Sequence, residues 1–126
     1  MDPATKRALT PTEDQEAFWL ASWLTLNRVF FIHIPNEGKR SRFAGYKLKR
    51  MGLMPGASDF LIFDSPPNFL ESKGVAIELK RKGEKPTDAQ AKFLIEMRSR
   101  GWEAFWIETG EAAAAELEKT YGYRRR

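Results

Sequence analysis

The segment VAIELKR, which runs from Val75 to Arg81, constrains the fold of this chain more than any other. Successive side chains of a β-strand point to opposite faces, so the V, I and L of this segment share one face. Glu78 and Lys80 share the other face. The sequence therefore predicts a strand that buries apolar side chains on one side and holds a carboxylate beside an ammonium group on the other. Taken alone, this pattern also fits an ordinary half-buried strand with a solvated polar face.

The preceding apolar stretch, DFLIFD, begins at Asp59 and ends at Asp64 and is predicted to be a second short strand. A loop with two prolines joins it to VAIELKR, so we expect the two strands to form an antiparallel hairpin. If Asp64 faces Val75 across the hairpin, Asp59 lies opposite Lys80 and diagonal to Glu78, about 7–8 Å away. This register brings two carboxylates and one lysine together, although a bulge would shift it.

Two carboxylates and a lysine in one cleft suit Mg²⁺ or Mn²⁺, which take oxygen ligands and keep several water molecules. An ion held by Asp59 and Glu78 polarises a phosphodiester and lowers the pKa of an attacking water. Lys80 beside it orients or deprotonates that water, or stabilises the charge on phosphorus. The simpler alternative is a salt bridge, and these residues alone do not decide between the two.

The remaining pattern predicts the element order α-β-(α)-β-β-α-β-α in a single domain of residues 1–126. Thr10 is predicted to cap the first helix, with Pro11 in its first turn and Glu13 completing a capping box. A helix between the third and fourth strands implies a right-handed crossover. We therefore predict an α/β fold with helices flanking a mixed sheet, and flexible ends at 1–9 and 121–126. The other predicted helices are 41–51, 87–100 and 109–120, and the other strands are 29–34 and 104–108.

Two further polar side chains are candidates for the site. Glu16 falls on the apolar face of the first helix, where an unpaired acid is unusual, although a solvated edge position explains it too. Glu13 and Asp14 sit earlier and are explained by the favourable effect of acids at a helix N-terminus. Gln90 either completes a capping box at the start of its own helix or points its amide at the cleft beside Lys80.

Composition excludes several classes of protein. The chain has no cysteine, which excludes disulfides, cysteine-based zinc sites and a cysteine nucleophile. Its one histidine, His33, is expected to be structural, with a position near phosphate as the alternative. A hydrophobic content of 42% is too high for a disordered segment. Because no signal peptide or membrane-spanning run is evident, we expect a soluble, intracellular protein.

The positive charge of the chain is concentrated in one segment. The formal net charge is +4, and a basic protein favours acidic partners, of which nucleic acid is the commonest. No acidic residue interrupts this segment, so we predict that it contacts DNA phosphates, with a solvated helix face as the alternative. The predicted DNA-binding residues are Lys39, Arg40, Arg42, Lys47, Lys49 and Arg50.

Several stretches together resemble the VRR-NUC family of virus-type replication and repair nucleases, within the PD-(D/E)xK nuclease superfamily. A bare D…ExK pattern is a common accident, but its combination with a preceding PGxxD and a following TxxQ is much more specific. The matching stretches occur in the order found in the family and are His33–Gly38, Gly52–Asp59, Gly74–Arg81 and Thr87–Gln90.

The resemblance implies roles for particular residues. Asp59, Glu78 and Lys80 would be the catalytic D-ExK residues, and the Leu79 carbonyl would join the two acids as a metal ligand. Glu16 would correspond to the acid on the first helix of the family. Gln90 would likewise match the glutamine on the helix that follows the ExK strand.

The resemblance also implies an activity. The family cleaves DNA phosphodiester bonds with Mg²⁺ or Mn²⁺ and no organic cofactor. Its small stand-alone members are often viral, dimeric and active on branched DNA such as Holliday junctions. We therefore expect a homodimeric, structure-selective endonuclease, encoded by a phage or virus and acting in the host cytoplasm. The alternative is a non-catalytic nucleic-acid-binding module that keeps the fold, and the intact acidic residues and lysine argue against it.

Overall fold

A four-stranded mixed sheet with helices on both faces forms the centre of the computed structural model, which describes residues 2, 3, 5, 10–35 and 47–124. The strands follow the order β1-β2-β3-β4 across the sheet. Strand β2 runs antiparallel to both β1 and β3, and β4 runs parallel to β3. The elements are α1 (Glu13–Leu26), β1 (Phe31–His33), β2 (Phe60–Ile62), β3 (Val75–Lys80), α2 (Asp88–Ser99), β4 (Glu103–Glu108) and α3 (Gly110–Lys119).

The predicted fold class, a mixed sheet flanked by helices, is confirmed. The parallel pair of β3 and β4 is connected by α2, as the crossover prediction requires. Part of the predicted helix over 41–51 falls outside the described residues, and 47–50 are helical. None of the helices in the described part of the chain is long and apolar enough to cross a membrane.

The predicted start of α1 is wrong by two residues. The helix is capped by Thr12 rather than Thr10, and the capping box is completed by Gln15 rather than Glu13. The Thr12 side chain accepts a hydrogen bond from the Gln15 backbone at 3.1 Å, and Gln15 Oε1 accepts one from the Thr12 backbone at 2.8 Å. Each threonine has a Glu or Gln three residues later that could return the hydrogen bond, so the capping-box pattern alone does not choose between them.

Strand β3 is buried along its whole length, because helices cover both faces of the sheet. Val75, Ile77 and Leu79 pack with α1 and α3 in the larger core. On the other face, Ala76 packs against α2 in a smaller core. Glu78 alternates onto the face of Ala76, so the predicted polar face of the strand is enclosed rather than solvated.

The predicted hairpin register is also wrong by two residues. The structure pairs Ile62 with Val75 and Phe60 with Ile77. Continued by one residue, this register places Asp59 directly opposite Glu78 rather than diagonal to it. A shift of two residues keeps every side chain on the same face of the sheet. Asp59 and Glu78 are therefore still brought close together, as predicted.

The C-terminal residues that were expected to be flexible are partly in the core. Tyr123 is 4% exposed and packs with the larger core, and its hydroxyl donates a hydrogen bond to the Asp64 carbonyl. The aromatic ring of Tyr121 stacks on Phe105 with a centroid separation of 5.7 Å. An aromatic side chain near a chain end can bury enough apolar surface to hold that end in place.

Candidate metal centre

Glu78 is the most unusual side chain in the described part of the chain. It is 1% exposed, and neither of its carboxylate oxygens has a hydrogen-bond partner among the described residues. Burial raises the pKa of Glu78 to about 9, and the neighbouring Asp59 carboxylate adds to the rise, while Lys80 opposes it. A buried acid without donors is costly to ionise, and a bound cation would remove that cost.

Asp59 is fixed beside Glu78 at the end of β2. Its Oδ2 accepts a hydrogen bond from the Leu79 backbone at 2.8 Å. The N–H and C=O of one strand residue point to the same side, so the Leu79 carbonyl also faces Asp59. Asp59 is therefore next to both the Glu78 carboxylate and the Leu79 carbonyl.

This donor set fits the predicted cofactor, because carboxylate and carbonyl oxygens are the ligands that Mg²⁺ and Mn²⁺ prefer. Within the described ranges, no group of three or more His, Cys, Asp or Glu side chains is arranged to hold a metal ion. A cation would therefore be held by two carboxylates and a backbone carbonyl, with water completing its shell. The unpartnered oxygens of Glu78 are the feature that such an ion would satisfy.

Lys80 is positioned next to Glu78 and Asp59 by one side-chain contact and one backbone hydrogen bond. Its Nζ lies 3.5 Å from Glu78 Oε2, and the side chain is largely buried. Its backbone carbonyl accepts a hydrogen bond from Thr109 at 2.9 Å, which anchors the end of β3 next to β4. An ammonium group fixed beside two carboxylates can donate to a water or to a phosphate oxygen next to a bound cation.

Glu16 has a structural partner on the third helix. It is 8% exposed, and its Oε1 accepts a hydrogen bond from the Gly110 backbone at 2.9 Å. Gly110 is the first residue of α3, so the carboxylate satisfies a backbone donor that the helix leaves free. Glu16 does not line either of the two clefts that border Asp59, and its place in the site stays a prediction.

Glu13 is an acid at the cleft for which the sequence pattern indicated only a helix-terminal role. It lines a small cleft of about 70 Å³ together with Asp59, Leu79 and His33. Burial raises the pKa of Glu13, the charge of Asp59 adds to the rise, and Lys80 opposes it. The capping pattern places Glu13 in the first turn of α1 with either threonine as the cap, and only the packing of α1 brings it to the cleft.

His33 lies at this cleft rather than in the core. The side chain is exposed, and its ring stacks on Phe60 with a centroid separation of 4.6 Å. The position beside Asp59 is compatible with the alternative prediction for this residue, a histidine near phosphate.

The capping role predicted for Gln90 is confirmed, whereas its alternative position beside Lys80 stays a prediction. Its Oε1 accepts a hydrogen bond from the Thr87 backbone at 2.9 Å, which completes the capping box of α2. Gln90 also lines a second and larger cleft, of about 370 Å³, on which Asp59 borders. The capping role fixes the side chain at the edge of this cleft.

The predicted DNA-binding segment is described only in its second half. Lys47, Lys49 and Arg50 lie on exposed helical positions directly before the loop that leads to Asp59. The other predicted contacts, Lys39, Arg40 and Arg42, lie outside the described residues.

Comparison with known proteins gives a structural match. No protein-family model matches the sequence, and no curated protein does either. The structure is similar to a solved structure described as a VRR_NUC domain protein, with a TM-score of 0.75 and 19% sequence identity. The match covers 91% of this chain and 92% of that one. The chain shares its fold with that protein. The PD-(D/E)xK-like fold class expected from the sequence is thereby confirmed, while an identity this low shows the fold alone.

Proposed function

We propose that this protein is a Mg²⁺- or Mn²⁺-dependent nuclease that hydrolyses DNA phosphodiester bonds. The observation that carries this proposal is the buried Glu78 carboxylate, whose two oxygens have no hydrogen-bond partner among the described residues and which lies beside Asp59 and Lys80. Buried polar groups in proteins are nearly always hydrogen-bonded. A buried carboxylate without a hydrogen bond therefore points to a role other than stabilising the fold. The VRR_NUC fold supports a nuclease as that role.

The chain supplies the parts that such a reaction needs. Asp59, Glu78 and the Leu79 carbonyl would hold the cation, which supplies Lewis-acid activation of phosphate and water when bound. Lys80 donates to the attacking water or to a non-bridging phosphate oxygen, since Glu78 holds its ammonium group in place. Glu13 accepts a hydrogen bond from water on the opposite side of Asp59, and its raised pKa suits a group that takes up a proton.

The preferred substrate in this proposal is branched DNA, and the active form is a homodimer. Two copies of the chain provide two metal centres, which can cut both strands of a junction. A single chain of 126 residues has little surface with which to recognise several DNA arms. The exposed Lys47 and Lys49 near the cleft provide part of the positive surface that DNA requires.

The test is a cleavage panel with purified protein. A four-way junction, a flap, a linear duplex and a single strand are each incubated with Mg²⁺, Mn²⁺, Ca²⁺ or EDTA. We expect cleavage with Mg²⁺ or Mn²⁺, preference for the junction, and none with EDTA. Glu78→Gln should lower the rate by about 10²–10³-fold, as removal of one electrostatic group of an active site does, and should still bind DNA.

Glu118→Gln is the matched control, because Glu118 is an exposed acid on α3. It should cut at the wild-type rate. Unchanged cleavage by Glu78→Gln would overturn the proposed centre. DNA binding by the wild-type protein without cleavage under any cation would instead favour the non-catalytic module.

A further inference from the structure

We propose that the larger cleft is a pocket for an unpaired nucleobase adjacent to the phosphate that is cut. This inference rests on the proposed function, since it names a feature of the DNA that the same site would select. Among the described residues, the pocket encloses about 370 Å³ between the loop 52–57 and the start of α2. The lining residues that matter for recognition are Leu53, Met54, Pro55, Ala57, Asp59 and Gln90.

The outer wall of the pocket is a turn that is held against α2. Ala57 donates a backbone hydrogen bond to the Met54 carbonyl at 3.2 Å, and Gly56 has a φ of +78°. With Pro55 before it, Gly56 occupies the position of a type II turn that requires positive φ. A Cβ on Gly56 would lie 2.4 Å from the backbone of Ala89, so only glycine allows this approach. The pocket is therefore formed by the fold before any ligand enters.

The chemistry of the lining suits a flat ring with polar edges. Apolar side chains make up most of the wall, and its polar side chains are Gln90 and Asp59. Leu53 is 39% exposed and Met54 is 60% exposed, so large apolar side chains face solvent beside a predicted metal ligand. Proteins that open or kink DNA insert side chains of this kind between bases.

The position of the pocket fits a nucleotide next to the cut. Asp59 borders both the pocket and the proposed metal centre, so a strand with its phosphate at the centre has its neighbouring base at the pocket. The basic helical turn ends at Gly52, whose φ is +100°, and Leu53 donates to the Leu48 carbonyl at 2.9 Å. This is the Schellman motif that terminates a helix, and it places Lys49 a few residues before the apolar wall. A paired base carries its partner with it, so the pocket selects an unpaired one.

The experiment uses a duplex with a single bulged 2-aminopurine and a matched duplex in which that base is paired with thymine. Fluorescence is measured in Ca²⁺ to follow binding, and cleavage is measured in Mg²⁺ or Mn²⁺. We expect the wild-type protein to change the fluorescence of the bulged base and to cleave the bulged duplex about tenfold faster than the paired one, because an unpaired base can make an additional stacking contact.

Met54→Ala tests whether the apolar wall of the pocket contributes to selection of the base. Met51→Ala is its matched control, because Met51 is 72% exposed on the same segment and does not line the pocket. Met54→Ala should lower the cleavage preference for the bulge about fivefold, in proportion to the apolar contact removed. Met51→Ala should keep that preference. Ala57→Leu, which fills the pocket, should abolish the fluorescence change, and circular dichroism checks that it is folded.

The outcomes distinguish a failure of the pocket proposal from a failure of the proposed nuclease function. If the wild-type protein cleaves neither duplex nor any junction, the proposed function fails, while the fluorescence in Ca²⁺ still decides whether the pocket binds a base. If it cleaves both duplexes equally and Met54→Ala leaves the fluorescence unchanged, the pocket proposal is overturned and the nuclease stands.

Discussion

Two buried glutamates, Glu16 and Glu78, lie in regions of the molecule that differ in the hydrogen bonds they offer to a carboxylate. Glu16 lies where α1 meets the start of α3, and the Gly110 backbone donates to it at 2.9 Å. A Cβ on Gly110 would lie 2.6 Å from the Glu16 carbonyl, so glycine lets the two helices meet closely. Glu78 lies on the opposite face of the sheet, is 1% exposed, and makes no hydrogen bond among the described residues, with the Lys80 ammonium 3.5 Å away.

The difference shows that burial by itself does not mark a functional acid. A buried carboxylate that receives a backbone donor at a helix N-terminus stabilises the fold, because the helix leaves that donor free. A buried carboxylate without a donor destabilises the folded chain until a cation or proton arrives. Acids of the metal centre should therefore affect cleavage when changed, and Glu16 should affect stability.

Of the acids on α1, Glu13 is expected to give the largest loss of cleavage when it is replaced by glutamine. Glu13 is half-buried beside Asp59, so its loss should lower the cleavage rate about 10- to 100-fold, as the loss of groups around a metal ligand does. The melting temperature should barely change. Steady-state cleavage and thermal melts of the same preparations measure both.

Glu16→Gln is the control for this variant, because glutamine keeps an oxygen that can accept from Gly110. It should cut at close to the wild-type rate. If it instead loses more activity than Glu13→Gln, the first-helix acid of the site is Glu16, as the sequence resemblance implies.

The second prediction concerns the stability of the contact between α1 and α3. Glu16→Ala leaves the Gly110 N–H buried without an acceptor, so we expect a loss of about 1–3 kcal/mol in the free energy of unfolding. Chemical denaturation measures it. Glu111→Ala, an exposed acid in the first turn of α3, should cost much less. Equal losses in the two variants would mean that the Glu16 hydrogen bond contributes little.

Local patterns in the sequence were sufficient for several elements. Thr87 and Gln90 form the predicted capping box, because both partners lie within one helical turn and need no tertiary contact. The alternation within β3 correctly places Glu78 and Lys80 on one face, since that periodicity is a property of the strand itself.

Features that depend on tertiary contacts could not be predicted from local patterns in the sequence. The hairpin register was wrong by two residues because the connection from 63 to 74 is long and does not fix which residues pair. The first helix offers several acids, and the choice between Glu13 and Glu16 depends on how α1 packs against β3 and α3. The partner of Glu16, Gly110, is 94 residues away in the chain, so no local pattern indicates it.

The third prediction uses the pKa of Glu78 in the metal-free protein. This pKa rises from 4.5 to about 9, so the folded state keeps a proton that the unfolded state has released between these values. The stability contributed by the neutral acid is present below pH 4.5 and is lost as pH rises toward 9. In EDTA, the free energy of unfolding should therefore fall by up to about 1 kcal/mol per pH unit in this window.

Glu78→Gln should remove this part of the pH dependence, because its amide does not titrate, and Mn²⁺ should stabilise the wild-type protein most at the alkaline end. Glu118→Gln should keep the wild-type slope. An identical slope in wild type and Glu78→Gln would show that the buried carboxylate is already ionised without metal.

The smallest effect concerns charges that face solvent rather than the interior. Lys47 and Lys49 are exposed on the helical turn before the pocket, where they can reach phosphates without any cost of burial. Replacing both with glutamine should flatten the plot of log binding constant against log salt by about 1–2 units, since each phosphate contact contributes about 0.9. Lys119→Gln, at the end of α3 on the other face of the sheet, should leave the slope unchanged.

A flattened slope combined with an intact bulge preference would separate attraction of the DNA backbone from selection of the base, because the first depends on Lys47 and Lys49 and the second on Met54. An unchanged slope would place the DNA path away from this turn, and the base entering the pocket would then have to approach from the side of α2.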